Sequence, residues 1–292
     1  MLGKATGSRP AGALIAVAAL AAALVGAAPA QAADRERAES PYDTASPKTA
    51  VASCSNGEEV IGASGRIKNG TGGVRLDAIV PGQTTVTVRG EAYADYEGEW
   101  SVIAAAVCAP PSDTLAQEVT IESGSPTASC PNGTDLGGSG FDLPSGSVLT
   151  GLIPEAGAGT VTVRTPAVVI GGGPAIAYAI CVPRQPPTYT RQFEATSPTN
   201  TLAPKNVTVS GTPTDYPPEL TGVGGEITWV NSGPGPHIAR SDVFIDTLML
   251  SADLTSMTMQ AVDRTPVFAA LVADPDDAWS GTAYADAPYY YL

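Results

Sequence analysis

His237 is the side chain of this sequence best suited to proton transfer near neutral pH, and the chain contains one His. Ser241 and Asp242 follow it closely, and a hydrolase needs a nucleophile, a base and a carboxylate that orients the base. Closeness in sequence supports such a triad weakly, and a Gly-x-Ser-x-Gly nucleophile elbow is absent. Gly138-Ser139-Gly140 instead predicts a tight turn. We therefore expect His237 to be an exposed loop residue without a catalytic role.

Carboxylates are the other candidates for chemistry, because the 29 Asp and Glu residues offer many pairs of the kind a glycosidase uses. Asp77 and Asp246 occupy matching positions in two copies of a repeat, but Thr150 stands there in the other copy, which predicts a surface position. The segment Asp274-Pro-Asp276-Asp277 could offer oxygen ligands to Ca²⁺, yet it lacks the EF-hand spacing and predicts a solvated loop. We expect no catalytic carboxylate, no metal site and no cofactor.

Three copies of one unit must position these residues. The first copy has four blocks in a fixed order: CSNGEEVIGASG from Cys54, RLDAIVP to Pro81, TVTVR to Arg89 and WSVIAAAVC to Cys108. The second copy repeats that order: CPNGTDLGGSG from Cys130, VLTGLIP to Pro154, TVTVR to Arg164 and GPAIAYAIC to Cys181. The third copy is degenerate: LTGVGGEI from Leu220, FIDTLML from Phe244, SMTMQ from Ser256 and WSGTAYADA to Ala287. A further lead-in piece precedes each copy.

The repeat also predicts how the four cysteines pair. Four Cys allow three connectivities, and the third copy lacks both the first and the last Cys, so the partners were lost together. We therefore predict disulfides Cys54–Cys108 and Cys130–Cys181, each stabilising the fold by roughly 3 to 4 kcal/mol on the chain-entropy model. A Cys metal site is not expected, because there is no CxxC and one His cannot complete a His/Cys cluster.

The predicted fold class is all-β, with three tandem β-repeats of four to five short strands each. TVTVR alternates with period 2, the apolar blocks are short, and the Asn-Gly pairs at Asn56 and Asn132 are turn signals. The copies are placed at residues 38–109, 110–183 and 189–292. Two arrangements remain open: small separate sandwiches, which the long Pro-rich joins favour, or one β-prism-like assembly around a pseudo-threefold axis.

Residues 1–32 have the layout of a secretory signal peptide. Lys4 and Arg9 precede an uncharged run from Ala11 to Ala28, and Ala30-Gln31-Ala32 predicts cleavage before Ala33. The expected location is therefore extracellular, without membrane insertion after cleavage. A formal charge of −14 argues against nucleic acid or an anionic membrane surface as a partner.

The blocks resemble tandem Cys-repeat proteins secreted by high-GC Gram-positive bacteria. The residues that carry the resemblance are Pro47-Lys48, Cys130-Pro131-Asn132-Gly133, Gly137-Gly138, Pro154 and Ala177-Tyr178-Ala179-Ile180-Cys181. The resemblance covers most of residues 38–287 and implies export, disulfides and β structure, but no activity. Repetition of a scaffold without a repeated polar constellation favours a non-catalytic protein that binds a surface glycan or protein, or has a structural role. The alternative is a secreted hydrolase that uses carboxylates or His237.

Overall fold

The structure is a computed structural model that describes residues 33–111, 116–122, 125–166, 173–184, 190–200, 202–211, 219–229, 243–264 and 278–288. Within these ranges the chain forms 18 strands and no helix, which confirms the all-β prediction. The described residues accordingly include no helix with the length and apolar character needed to cross a membrane.

Each copy contributes six of the strands in the described ranges, where the sequence indicates four or five. The first copy forms β1 Asp34–Glu39, β2 Lys48–Ser53, β3 Glu59–Lys68, β4 Val74–Pro81, β5 Thr85–Ala92 and β6 Ser101–Ala109. The second copy forms β7 Ala116–Glu122, β8 Thr127–Ser129, β9 Thr134–Asp142, β10 Gly151–Glu155, β11 Thr160–Arg164 and β12 Ala175–Pro183. The third copy forms β13 Thr190–Thr196, β14 Lys205–Ser210, β15 Gly222–Trp229, β16 Val243–Leu250, β17 Ser256–Asp263 and β18 Trp279–Pro288.

The alternating block TVTVR forms a strand with one buried face, as its period predicts. Val86 and Val88 in β5 are fully buried, while the threonines between them are half-buried. The Asn-Gly pairs also form the predicted turns, with positive φ angles at Asn56, Gly57 and Gly133. These local patterns set the strand boundaries without deciding which strands pair.

The three sheets each combine strands from two copies. Sheet 1 has the order β1-β6-β3-β16-β17-β14, sheet 2 the order β2-β5-β4-β9-β12-β7 and sheet 3 the order β13-β18-β15-β10-β11-β8. Each copy gives its first, last and Gly-rich strands to one sheet and its other three strands to another sheet. The three copies are therefore joined by continuous sheets.

The junctions between copies are equivalent pairs of antiparallel strands. In sheet 1, β3 pairs with β16 through Arg66 opposite Thr247. The pair β4–β9 in sheet 2 and the pair β10–β15 in sheet 3 have the same form, with two residues matched on each side. This pairing satisfies backbone groups that a separate sandwich would leave exposed at an edge strand.

The Gly-rich strands β3, β9 and β15 approach one another closely, which explains their composition. A Cβ atom on Gly62 would lie 2.9 Å from the carbonyl carbon of Thr221, and one on Gly138 would lie 3.0 Å from the Cα atom of Gly62. Gly138-Ser139-Gly140 lies inside β9, so the tight turn predicted there is wrong. The glycines allow strands of different copies to pack backbone to backbone.

The fold has features of both predicted arrangements, the small sandwiches and the single assembly. The two half-sheets of a copy pack face to face, as in a small sandwich, and one continuous buried cluster contains residues of all three copies. The largest buried side chains come from every copy and include Trp100, Phe141 and Trp279. The strand pairs at the junctions extend these half-sheets from copy to copy.

Candidate functional site

Two of the sequence-based candidate sites cannot be placed. His237, with Ser241 and Asp242, and the segment Asp274-Pro-Asp276-Asp277 lie outside the described residues. Among the residues that are described, no group of three or more His, Cys, Asp or Glu side chains could hold a metal ion.

The four cysteines form the two predicted disulfides. Cys54 pairs with Cys108, and Cys130 pairs with Cys181, with Cα atoms 5.6 Å and 5.5 Å apart. Ala287 of the third copy stands where the other copies have their last Cys and is fully buried. Cys54 directly follows β2 and Cys130 directly follows β8, so each disulfide ties the end of a strand in one half-sheet to the last strand of the same copy in the other half-sheet.

The outer face of sheet 2 carries a cluster of three polar side chains at the junction between the first and second copies. Arg89, the last residue of TVTVR, forms an ion pair with Asp142 of the second copy. Tyr178 lies near this pair, and burial, followed by the charge of Asp142, raises the pKa of its hydroxyl. This tyrosine, acid and arginine cluster crosses from one copy to the next.

Sheet 3 repeats the same cluster between the second and third copies. Arg164, the equivalent arginine, forms an ion pair with Glu226. The hydroxyl of Tyr284 donates a hydrogen bond to the Glu226 carboxylate over 3.3 Å. Burial, together with the charge of Glu226, raises the pKa of Tyr284 to about 12. Two of the three outer faces therefore carry the same constellation.

Sheet 1 departs from this pattern at every equivalent position. Gln260 replaces the arginine, Arg66 replaces the acid, and Ala105 replaces the tyrosine three residues before the last Cys. The acid of the other faces has become a cation, and the bulky ring has become a methyl group. At the junction between the third and first copies, a net positive group of Gln260 and Arg66 therefore replaces the neutral arginine–acid pair.

Additional cations surround Arg66 on the same face, and we call this group the cationic face. Cross-strand pairing of β1 with β6 and of β6 with β3 places their side chains on one side of the sheet. Its members are Arg35, Arg37, Arg66 and Lys68. Beneath them, a small apolar cluster of Ile103, Ala105 and Met249 is almost fully buried, an arrangement in which long cationic side chains cover apolar positions.

Glu39 neutralises part of the cationic face. Its carboxylate pairs with Arg37 at 3.1 Å and with Lys68 at 2.8 Å, and it accepts a hydrogen bond from Ser101. The hydrogen bonds from Lys68 and then Ser101 lower the pKa of Glu39. One carboxylate thus contacts two of the four cations and offsets one positive charge.

Arg35 and Arg66 remain without an acidic partner among the described residues. The Nε atoms of both guanidinium groups are buried and have no hydrogen-bond partner. Burial and then the repulsion from Arg37 and Arg66 lower the pKa of Arg35. Such unpaired and mutually repelling charges cost folding free energy, so they are not explained by stability.

The sequence analysis missed this face, although a signal was present. Arg35 and Arg37 are two residues apart, as are Arg66 and Lys68, and period 2 places each pair on one side of a strand. The two pairs are about 30 residues apart in sequence, and their meeting depends on how β1, β6 and β3 pair.

The prediction that Asp77 and Asp246 lie at the surface is wrong, because both side chains are buried, with 4% and 1% of their area exposed. Each sits at a bulge in its strand, where one extra residue interrupts the pairing. Arg75 contacts Asp77 at 2.9 Å, while Phe244 occupies the matching position before Asp246. Burial raises the pKa of Asp77 to about 6, and that of Asp246 to about 7.

Asp286 is a third buried acid, and sequence alignment of the copies could have found it. It occupies the position of Val107 in the first copy and Ile180 in the second, and all three are fully buried. Neither carboxylate oxygen of Asp286 has a hydrogen-bond partner. Burial raises the pKa of Asp286 to about 7.

Comparison with models of known protein families and with curated protein sequences finds no match to this chain. The candidate function is therefore argued from the geometry alone. In chemical terms, the cationic face can bind an anion, whereas the three buried acids each expose 4% of their area or less to a substrate.

Proposed function

We propose that the chain is a secreted, non-catalytic β-repeat protein that binds a partner, or has a structural role, at the cell surface or outside the cell. The observation that carries this proposal is the set of three equivalent sheet faces on one shared core, of which one has become cationic. Sheet faces with polar side chains suit recognition of an extended partner, whereas catalysis on small molecules favours a concave site.

The location outside the cell has two supports. The two disulfides are compatible with an oxidising compartment. In addition, β1 begins at Asp34, directly after the predicted cleavage position, so removal of residues 1–32 would leave all 18 strands whole.

The buried acids are the strongest support for the alternative of a secreted hydrolase, because raised pKa values are typical of general acids. Asp246 and Asp286, however, expose 1% and 0% of their area, so a substrate could not contact them without opening the core. A partner can therefore bind a sheet face without opening the core, whereas a hydrolase that used these acids would have to open it.

The proposal is tested with protein purified from culture medium. It is incubated with isolated cell-envelope material, and separately with ester, peptide and glycan substrates. We expect retention on the envelope material and no turnover above that of buffer. His237→Ala should change the retention by less than about threefold and should leave turnover undetected. Turnover that His237→Ala or Asp246→Asn abolishes would contradict the proposal and support the hydrolase.

A further inference from the structure

The cationic face and a polar group of Asn206, Thr208, Thr258 and Gln260 lie near opposite edges of the same side of sheet 1. The positions between them, which include Thr247 and Met249, are buried. Strand pairing places Asn206, Gln260, Thr247 and Arg66 in one row across the sheet. A neighbouring row runs from Thr208 through Thr258 and reaches Arg37 on the far edge. Five spacings between strands make each row roughly 24 Å long.

One half of this surface offers hydroxyl and amide groups, and the other half offers cations. Thr208 and Thr258 share a hydrogen bond of 3.2 Å, and Gln260 donates to Asn206 over 2.8 Å. Asn206 and Thr208 are exposed to solvent. A partner that fits both halves must carry hydroxyl groups along its length and anionic groups at one end or at intervals.

We propose that this surface binds an acidic polysaccharide, with carboxylates on the guanidinium groups of the cationic face and sugar hydroxyls along the Thr, Gln and Asn rows. The inference rests on the proposed binding function and names the ligand class for it. Arginine is suited to this role, because its planar fork matches a carboxylate with two parallel hydrogen bonds.

The composition of the surface favours a glycan over a protein partner. Protein interfaces have an apolar core with aromatic anchors, whereas the apolar side chains of this face are covered, and Met249 exposes 9% of its area. The solvent-accessible positions of the rows carry polar and charged side chains, while Ile103, Ala105 and Met249 between them are buried. A hydrophilic polymer can satisfy these groups without needing an apolar anchor.

The acidic character of the chain favours a polymer less densely charged than duplex nucleic acid, which carries about one charge per 1.7 Å. At physiological salt the screening length is about 8 Å, so acids elsewhere on the molecule act weakly on a ligand that lies within this face. A densely charged polyanion such as nucleic acid would extend past the face and meet a chain of net charge −14.

The unpaired state of Arg35 and Arg66 is the evidence that this face is kept for binding. Their charges repel each other and their buried Nε atoms lack partners, so the free protein bears a cost that an anion would relieve. A group of charges that lowers the stability of the free protein is typical of a functional site rather than of a structural one.

The experiment measures binding of the secreted protein to polygalacturonate by calorimetric titration at low and physiological salt. The comparison ligands are methyl-esterified polygalacturonate, which keeps the sugar backbone without its charges, and poly-glutamate. The test variant is Arg35→Gln with Arg66→Gln. The matched control is Arg89→Gln with Arg164→Gln, which removes the same charge from the other two faces, where Gln260 shows that the fold accepts Gln.

We expect the test variant to bind polygalacturonate at least about tenfold more weakly than the wild type. The control should bind within about twofold of the wild type, and the esterified polymer should bind at least tenfold more weakly than the acid. The melting temperature of the test variant should be equal to or above that of the wild type, because a repulsive pair is removed.

Equal binding by the test variant and the wild type would overturn the inference, as would absence of binding by the wild type. Poly-glutamate that binds as tightly as polygalacturonate would overturn the glycan assignment in favour of an acidic peptide. Retention of the wild type on envelope material without binding to polygalacturonate would reject this inference and leave the proposed function standing. Turnover of a substrate would reject the proposed function itself.

Discussion

Gly62→Ala is expected to lower the free energy of unfolding by about 3 kcal/mol or more, at the upper end of overpacking effects. The added methyl group would overlap the carbonyl group of Thr221, whose carbon would lie 2.9 Å from it. Backbone of another copy cannot move aside as the end of a flexible side chain can. Urea denaturation of the purified protein, followed by circular dichroism, measures the change.

Gly157→Ala is the matched control for this prediction. A Cβ atom there meets nothing within 4 Å, and the φ angle of Gly157 is not in the left-handed region. This control should change the free energy of unfolding by less than about 1 kcal/mol. If Gly62→Ala and Gly157→Ala had similar urea midpoints, Gly62 would not be packed against the backbone of Thr221.

Asp286→Val should stabilise the protein by an amount that depends strongly on pH. The folded pKa of about 7 lies above the ordinary value of 3.8, so the folded state favours the neutral acid. The wild type is therefore most stable with respect to this group below about pH 3.8, and it loses that stability as the pH rises through about 7. At pH 8 the loss is on the order of 4 kcal/mol, and Asp286→Val should recover it.

The measurement is the free energy of unfolding of wild type and variant at pH 4 and pH 8. The gain from Asp286→Val should be larger at pH 8 than at pH 4 by on the order of 4 kcal/mol, and Asp246→Asn should act in the same direction. Val is suited to the test because Val107 occupies the equivalent buried position in the first copy.

Asp253→Asn provides a control of opposite sign. Hydrogen bonds from Ser251 and then Thr255 lower the pKa of Asp253, so its contribution to stability is present at neutral pH and lost as the pH falls through that lowered pKa. Asp253→Asn should therefore lower the stability slightly at pH 8. A gain from Asp286→Val that is the same at both pH values would contradict the account of a buried, unpartnered acid.

The repeats carried most of what could be predicted from the sequence. The joint absence of two Cys from the third copy predicted both disulfides, and the period of TVTVR predicted the strand face that is buried. These features are local or are fixed by comparison of the copies. They need no knowledge of which strand lies next to which.

The errors share one cause, namely that no local sequence pattern determines how strands pair, within a copy or between copies. The Gly-rich block has the composition of a turn, and its strand conformation becomes favourable because Gly62 lies against Thr221 of the third copy. Asp77 and Asp246 appear as ordinary surface acids until the bulges turn them into the interior. The overall charge of −14 gave no indication that four cations would meet on one sheet face.

The central claim is that three copies fold as one assembly with shared sheets, and differential scanning calorimetry of the purified protein tests it most directly. Because every sheet contains strands of two copies, no copy can unfold without breaking strand pairs of its neighbours. We predict a single unfolding transition whose calorimetric and van't Hoff enthalpies agree. Two or three separable transitions, or a van't Hoff enthalpy well below the total calorimetric enthalpy, would contradict the shared sheets.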